Sequence, residues 1–240
     1  MVGLQQHNTL ASSTKVPAPG KNHTPPIFAY FNRIRIINLP ERTDRREEME
    51  AELEAVGLGN DPRVEFFEAI KPKNPGPFTS PGARGVYEGQ KRLLSEAAAA
   101  GESLLILEDD CAFQPRLRFF KPNSRWDIFY GGYLARDPND LTNSDIQESH
   151  MMGFSVQGVR MLADYLHDLK FDGIHPPIDA AYVWFRRKYP DVPTLFAAPP
   201  LAYQRSSRSD IAPKIWDRLP LARDLAASLR RVRTRLAVHH

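Results

Sequence analysis

Apolar residues along the chain fall into short dense runs that alternate with stretches of helical spacing. RIRIINL, Arg33 to Leu39, packs β-branched residues together and predicts a buried strand. ERTDRREEMEAELEAVGLG follows, with Met49, Leu53 and Val56 at helical spacing and a glycine stop. VEFFEAI, Val64 to Ile70, predicts a second strand, and the Pro- and Gly-rich KPKNPGPFTSPGARG behind it a long loop of the kind that carries binding residues. VYEGQKRLLSEAAAAGES predicts a helix that ends near Gly101 and leads into the strand LLIL. Further on, WDIFYGG predicts a strand stopped by its glycines. HMMGFSVQGVRMLADYLHDL predicts an extended segment passing into a helix, DAAYVWFRRKY a helix and TLFAA a short strand. Strands alternating with helices predict an α/β fold with a mostly parallel central sheet flanked by helices. No internal repeat is present.

The ends differ in character. The stretch up to about Pro26 is rich in Ser, Thr, Pro, Gly and Asn with no apolar period, so residues 1–29 are expected to form a disordered tail. Ile215 to Leu236 predicts a terminal helix with Leu221, Leu225, Leu229, Val232 and Leu236 on one stripe and Arg230, Arg231, Arg233 and Arg235 mostly off it. One domain is therefore expected over 30–212 and a basic amphipathic helix within 213–240. That helix either packs its leucines on the domain or lies on an anionic membrane surface.

Composition narrows the class without deciding it. At 42% hydrophobic and 25% charged over 240 residues, the chain sits in the soluble globular range. The single cysteine, Cys111, excludes an internal disulfide, and no Cys/His cluster has zinc-ligand spacing, which suits a reducing compartment. No apolar run approaches the ~18 residues of a membrane span. The opening segment also lacks the apolar block of a secretory signal. A cytoplasmic protein is expected, with peripheral contact at the inner face of the membrane if the basic helix binds lipid. A net charge of +3 and a pI near 9.0 permit an anionic partner. Nucleic acid is not expected, because the basic residues lack interleaved aromatics and no recognition motif occurs.

The candidate chemistry begins where LLIL meets Glu108, Asp109 and Asp110. Ligands in such sheets bind beyond the carboxyl ends of the strands, so the triplet is aimed at the site edge. On an extended segment Glu108 and Asp110 would point to one side and Asp109 to the other. A hard divalent cation, Mn²⁺ or Mg²⁺, would relieve the repulsion of the first pair and keep positions for substrate phosphates. The alternative is a solvated acidic turn. At the end of the first strand, Asn38 and Leu39 precede Arg42, Asp44 and Arg45 at a helix start. Arginine forks and a helix N-terminus suit phosphate there, and Asp44 suits a base or ribose. A charged helix start with pairs in water is the alternative. Asp179 enters a helix after two prolines, either as a capping residue or as a base that deprotonates an acceptor hydroxyl.

Four blocks carry a resemblance: RIRIINLPERTDRREEM, GVYEGQKRLLSEAAAAGESLLILEDDCAF, HMMGFSVQGVRML and PPLAYQRSSRSDI. In this order, from about Arg33 to Ile211, they resemble successive blocks of glycosyltransferase family 25, the lipooligosaccharide and collagen-type sugar transferases. The resemblance implies a GT-A nucleotide-sugar transferase fold. It implies a metal-assisted, inverting transfer of a hexose, galactose above all, from a UDP-sugar to a saccharide or lipid-linked saccharide hydroxyl. Glu108 and Asp110 would hold the metal, and Asp109 would contact the donor's ribose or sugar. Gln204, Arg208, Ser209 and Asp210 match the closing motif, placed to cover the diphosphate or complete the metal shell, and His150 also matches a family position. The chain departs from the family at Val86, where it carries Cys, and at Glu88 and Gly89, near its Ser-His pair. Those departures support a second reading, a catalytically silent sugar- or partner-binding module.

Overall fold

The structure, a computed structural model, describes residues 24–205. Its strands are β1 (Arg33–Asn38), β2 (Val64–Glu68), β3 (Leu104–Glu108), β4 (Cys111–Phe113), β5 (Ile128–Ala135), β6 (Ile146–Phe154), β7 (Thr194–Phe196) and β8 (Ala202–Gln204). Its helices are α1 (Thr43–Ala55), α2 (Pro81–Ala100), α3 (Val156–His167) and α4 (Ile178–Lys188). The main sheet has the order β2-β1-β3-β6-β5-β7, and β4 pairs with β8 in a separate ribbon. β6 is antiparallel to both of its neighbours while the remaining pairs are parallel, so a mostly parallel sheet carries one reversed strand.

The unbroken apolar run in β3 follows from its central place. Leu104 and Ile106 face a core built with α2, α3 and α4, while Leu105 and Leu107 face a second core built with α1. A strand covered on both faces has no polar side to show. α2 starts at Ser80, whose hydroxyl accepts from the Ala83 N–H at 3.0 Å, and ends at Gly101, whose φ of 68° suits a residue without a Cβ.

Two sequence expectations need correction. Gly131 and Gly132 do not stop the strand but lie inside β5, because the chain passes so close to β6 that a Cβ on Gly132 would stand 2.5 Å from the His150 ring. The described part of the supposed tail is also ordered: Pro26–Tyr30 form a 3-10 helix that buries Ile27 and Phe28 completely in the α1-side core. Two large apolar side chains outweigh the polar composition around them. Residues 1–23 of the expected tail and all of 213–240 lie outside the described residues.

Phe28→Ala is expected to cost about 3–5 kcal/mol of unfolding free energy in a denaturant titration, whereas a residue in a free tail would cost nothing.

Candidate active site at the carboxyl end of β3

β3 delivers Glu108 to the sheet edge, and Asp109 and Asp110 then form a turn into β4. The turn overrides the alternation expected of an extended segment, so Asp109 and Asp110 face a common cation instead of opposite sides. Arg45, in the first turns of α1, donates Nη1 to Asp109 Oδ1 at 2.9 Å and lies 3.3 Å from Asp110 Oδ2. Asn38 at the end of β1 donates Nδ2 to Asp109 Oδ2 at 2.8 Å. Both oxygens of Asp109 are thus engaged by protein groups, although Asp109 was expected to reach the donor.

β8 closes the other side. Gln204 donates its amide to Asp110 Oδ2 at 3.1 Å and reaches Glu108 Oε2 at 3.5 Å. Its neighbour Arg205 donates to the carbonyls of Asp109 at 2.8 Å and Cys111 at 3.2 Å and pairs with Glu48 of α1 at 3.0 Å. His150 is buried, with one ring nitrogen 2.6 Å from the Glu148 carbonyl and the other 3.1 Å from the Ala202 carbonyl, so it ties β6 to β8.

Other expected residues are placed less centrally. Arg42 and Asp44 engage each other through two hydrogen bonds of 2.9 and 2.8 Å, and that pairing pulls the exposed Asp44 carboxyl down to about 2. Leu39 is half-buried and accepts the Arg42 N–H in a tight turn. Asp179 lies in the first turn of α4 and caps nothing: its Oδ2 accepts the backbone N–H of Glu148 at 3.1 Å. Arg208, Ser209 and Asp210 lie outside the described residues.

The charge balance of this edge is strongly negative. Burial drives the Glu108 carboxyl well above its ordinary range, and the charges of Asp110, Asp179, Asp109 and Glu148 push it further. Burial also raises Asp110, against the pull of Arg45, and raises Asp179, against the hydrogen bond it accepts from the Glu148 N–H. Among the described residues, the buried Asp110 Oδ1 has no hydrogen-bond partner. Among the described residues no group of three or more His, Cys, Asp or Glu side chains is arranged to hold a metal ion. Two carboxylates, one with an unpartnered oxygen, nonetheless fit a hard divalent cation of the kind that takes one or two carboxylates and completes its shell with water and phosphate.

Sequence reasoning missed Glu148 and Arg205. Arg205 sits beside Gln204 in the closing block, but its partners, Asp109, Cys111 and Glu48, stand far away in the sequence and leave no local signal. Glu148 carries only one local peculiarity, a φ of 53°, which the sequence does not show.

No family model matches the chain, and no curated protein does. Among solved structures, it is similar to a glycosyltransferase involved in the glycosylation of the major capsid of PBCV-1, at TM-score 0.45 and 10% identity over 73% of this chain and 94% of that one. It is also similar to a protein described as a glucose-1-phosphate thymidylyltransferase from Bacillus anthracis in complex with a sucrose, at TM-score 0.39 and 12% identity over 69% and 68%. Likenesses this distant say nothing of chemistry.

A carboxyl whose folded-state pKa is raised binds its proton more tightly in the folded protein, so its contribution to stability is present at low pH and declines as pH rises through the raised value. In chelator, the melting temperature of wild type relative to Glu108→Gln should therefore fall as pH rises above the ordinary carboxylate range. A difference that stays flat with pH would contradict the buried, like-charged setting of Glu108.

Proposed function

We propose that the protein is a metal-assisted glycosyltransferase that moves a hexose from a UDP-sugar to a hydroxyl of a saccharide or lipid-linked saccharide, with inversion at the anomeric carbon. One observation carries the reading: a buried, anion-rich turn at the carboxyl end of a central strand, with Asp110 Oδ1 left unpartnered. Uncompensated buried charge is costly and marks sites kept for a ligand.

Glu108 and Asp110 are the residues that would hold Mn²⁺ or Mg²⁺. When bound, the ion supplies positive charge against the diphosphate leaving group. Asn38 fixes Asp109 and thereby the turn that presents Asp110, and Arg45 pairs with Asp109 and with Asp110 Oδ2, which leaves Oδ1 for the ion. Arg42, Leu39 and Asp44 form the rim where a nucleotide would enter, and Gln204 stands between the two metal-side carboxylates. Asp179 and Glu148 stand on the acceptor side. Arg208, Ser209 and Asp210 would cover the diphosphate or complete the metal shell. Among the described residues no helix is long and apolar enough to cross a membrane. Contact with a lipid surface through 213–240 remains part of the proposal.

The second reading, a silent binding module, is favoured by one feature. Val86 packs against the α2-side core and Glu88 is ion-paired to Arg84 at 2.8 Å, so two of the positions that depart from the family serve the helix itself.

A screen for UDP release across several nucleotide sugars in Mn²⁺ separates the two. Turnover with at least one donor, reduced about 100-fold or more by Asp110→Asn, is expected. Silence toward all donors, with UDP bound equally well in Mn²⁺ and in EDTA, would leave the binding module standing.

A further inference from the structure

β5 and β6 lose register at the site. Leu134 pairs with Gln147 and Gly132 with Met151, so Glu148, Ser149 and His150 bulge opposite Tyr133 alone. Bulges beside active sites re-aim side chains. Glu148 sits in this one with φ 53°, a left-handed conformation that few residues other than glycine adopt.

Several contacts keep it there. Asp179 Oδ2 accepts the Glu148 N–H at 3.1 Å, and a ring nitrogen of His150 lies 2.6 Å from the Glu148 carbonyl. The buried Arg186, two turns along α4 from Asp179, donates to the carbonyls of Leu141 at 3.3 Å, Thr142 at 3.0 Å and Ser144 at 3.1 Å, which fixes the chain leading into the bulge.

The side chain held in this way is exposed and, among the described residues, makes no hydrogen bond or ion pair. It is still close enough to Glu108 and Asp179 for its charge to raise both carboxyls. The edge it faces includes Asp110, itself 5% exposed, with the buried unpartnered Oδ1. Asp179, in contrast, spends a carboxylate oxygen on the Glu148 backbone.

We propose that Glu148 is the catalytic base that takes the proton of the acceptor hydroxyl, and that Asp179 is a positioning residue that holds the Glu148 backbone in the bulge. The inference rests on the transferase reading and assigns a group within it. The acceptor O–H bond breaks and its proton passes to the Glu148 carboxylate. The freed oxygen pair forms the bond to the anomeric carbon, and the carbon–oxygen bond to the diphosphate breaks with its electrons going to UDP. A carboxylate that is reachable and unengaged suits this step better than one that accepts a backbone N–H.

The test uses the full chain with the donor and acceptor that wild type turns over. Glu148→Gln and Glu148→Gly should each lower kcat for transfer by about 100-fold or more. The glycine variant keeps the left-handed backbone without strain, so its melting temperature should not fall. UDP affinity in Mn²⁺ should stay within about twofold of wild type in both. Asp179→Asn keeps an oxygen that can accept the Glu148 N–H, so it should retain transfer within about tenfold of wild type, whereas Asp179→Ala should not. Wild-type rates in either Glu148 variant, or an Asp179→Asn enzyme as inactive as Asp179→Ala, overturn the assignment. Loss of UDP affinity together with transfer in the Glu148 variants also overturns it, by making Glu148 part of the donor site. A wild-type chain that turns over no nucleotide sugar sinks the transferase reading itself and the inference with it. Active wild type beside active Glu148→Gln sinks the inference alone.

Discussion

The guanidinium of Arg45 lies between two carboxylates, 2.9 Å from Asp109 and 3.3 Å from Asp110, and both acids are only 5% exposed. Placing adjacent anions at the edge of a covered sheet costs several kcal/mol per ion unless each is compensated by charge and hydrogen bonds. Arg45 supplies the charge. Asn38 supplies a bond to the Asp109 oxygen that Arg45 leaves, and Gln204 supplies one to the same Asp110 oxygen that faces Arg45. These donors come from α1, β1 and β8, so the acidic turn can form only after three distant segments have assembled around it. Among the described residues the compensation is also incomplete, since Asp110 Oδ1 stays unpartnered and Glu108 has only the long contact to Gln204.

That dependence explains the small ribbon at the edge of the fold. β4 continues from the acidic turn, and β8 pairs with it so that Cys111 stands opposite Gln204. Arg205 then binds the carbonyls of Asp109 and Cys111, and the Arg205 N–H donates to the Asp110 carbonyl at 2.8 Å. Backbone and side chain of Arg205 therefore hold the three successive carbonyls of Asp109, Asp110 and Cys111. Buried carbonyls at a turn need such partners as much as the carboxylates need theirs.

Much of the first half of the fold was legible in the sequence because its signals are local. β1, α1, β2, α2 and β3 follow from apolar spacing and glycine stops, and the end of the LLIL run locates the acidic turn; the first residues of α2, Pro81 to Gly85, read as loop because their prolines and glycines mask the serine cap. What stayed hidden depends on contacts between segments. Ile27 and Phe28 gain their place from a core whose other members include residues of β1, α1 and β3, which no polar-rich window can reveal. Gly131 and Gly132 read as strand breakers by propensity, yet they serve close approach to Met151 and His150. Asp109 was placed wrongly relative to Asp110 because a turn, not a strand, carries both. Arg42 and Asp44 satisfy each other at the surface, where the sequence left two readings open.

The reversed strand β6 has the largest consequence for chemistry. Had β6 run parallel to β3, its start would have lain at the opposite edge of the sheet, with Ile146 to His150 far from Glu108. Running antiparallel, it brings that start to the carboxyl edge, beside the ends of β1 and β3. The bulge then turns Glu148 out of the β-ladder, and α4, which follows two elements later, returns Asp179 to hold it. A carboxylate group and its support thus arrive at the acidic turn from two chain directions, by sheet topology and by helix docking. Neither is encoded near the other: Glu148 and Asp179 are 31 residues apart, and the bond between them is to a backbone N–H. Side chains that act through another residue's backbone leave no pattern of residue types to read, which is why this part of the site comes into view only with the fold.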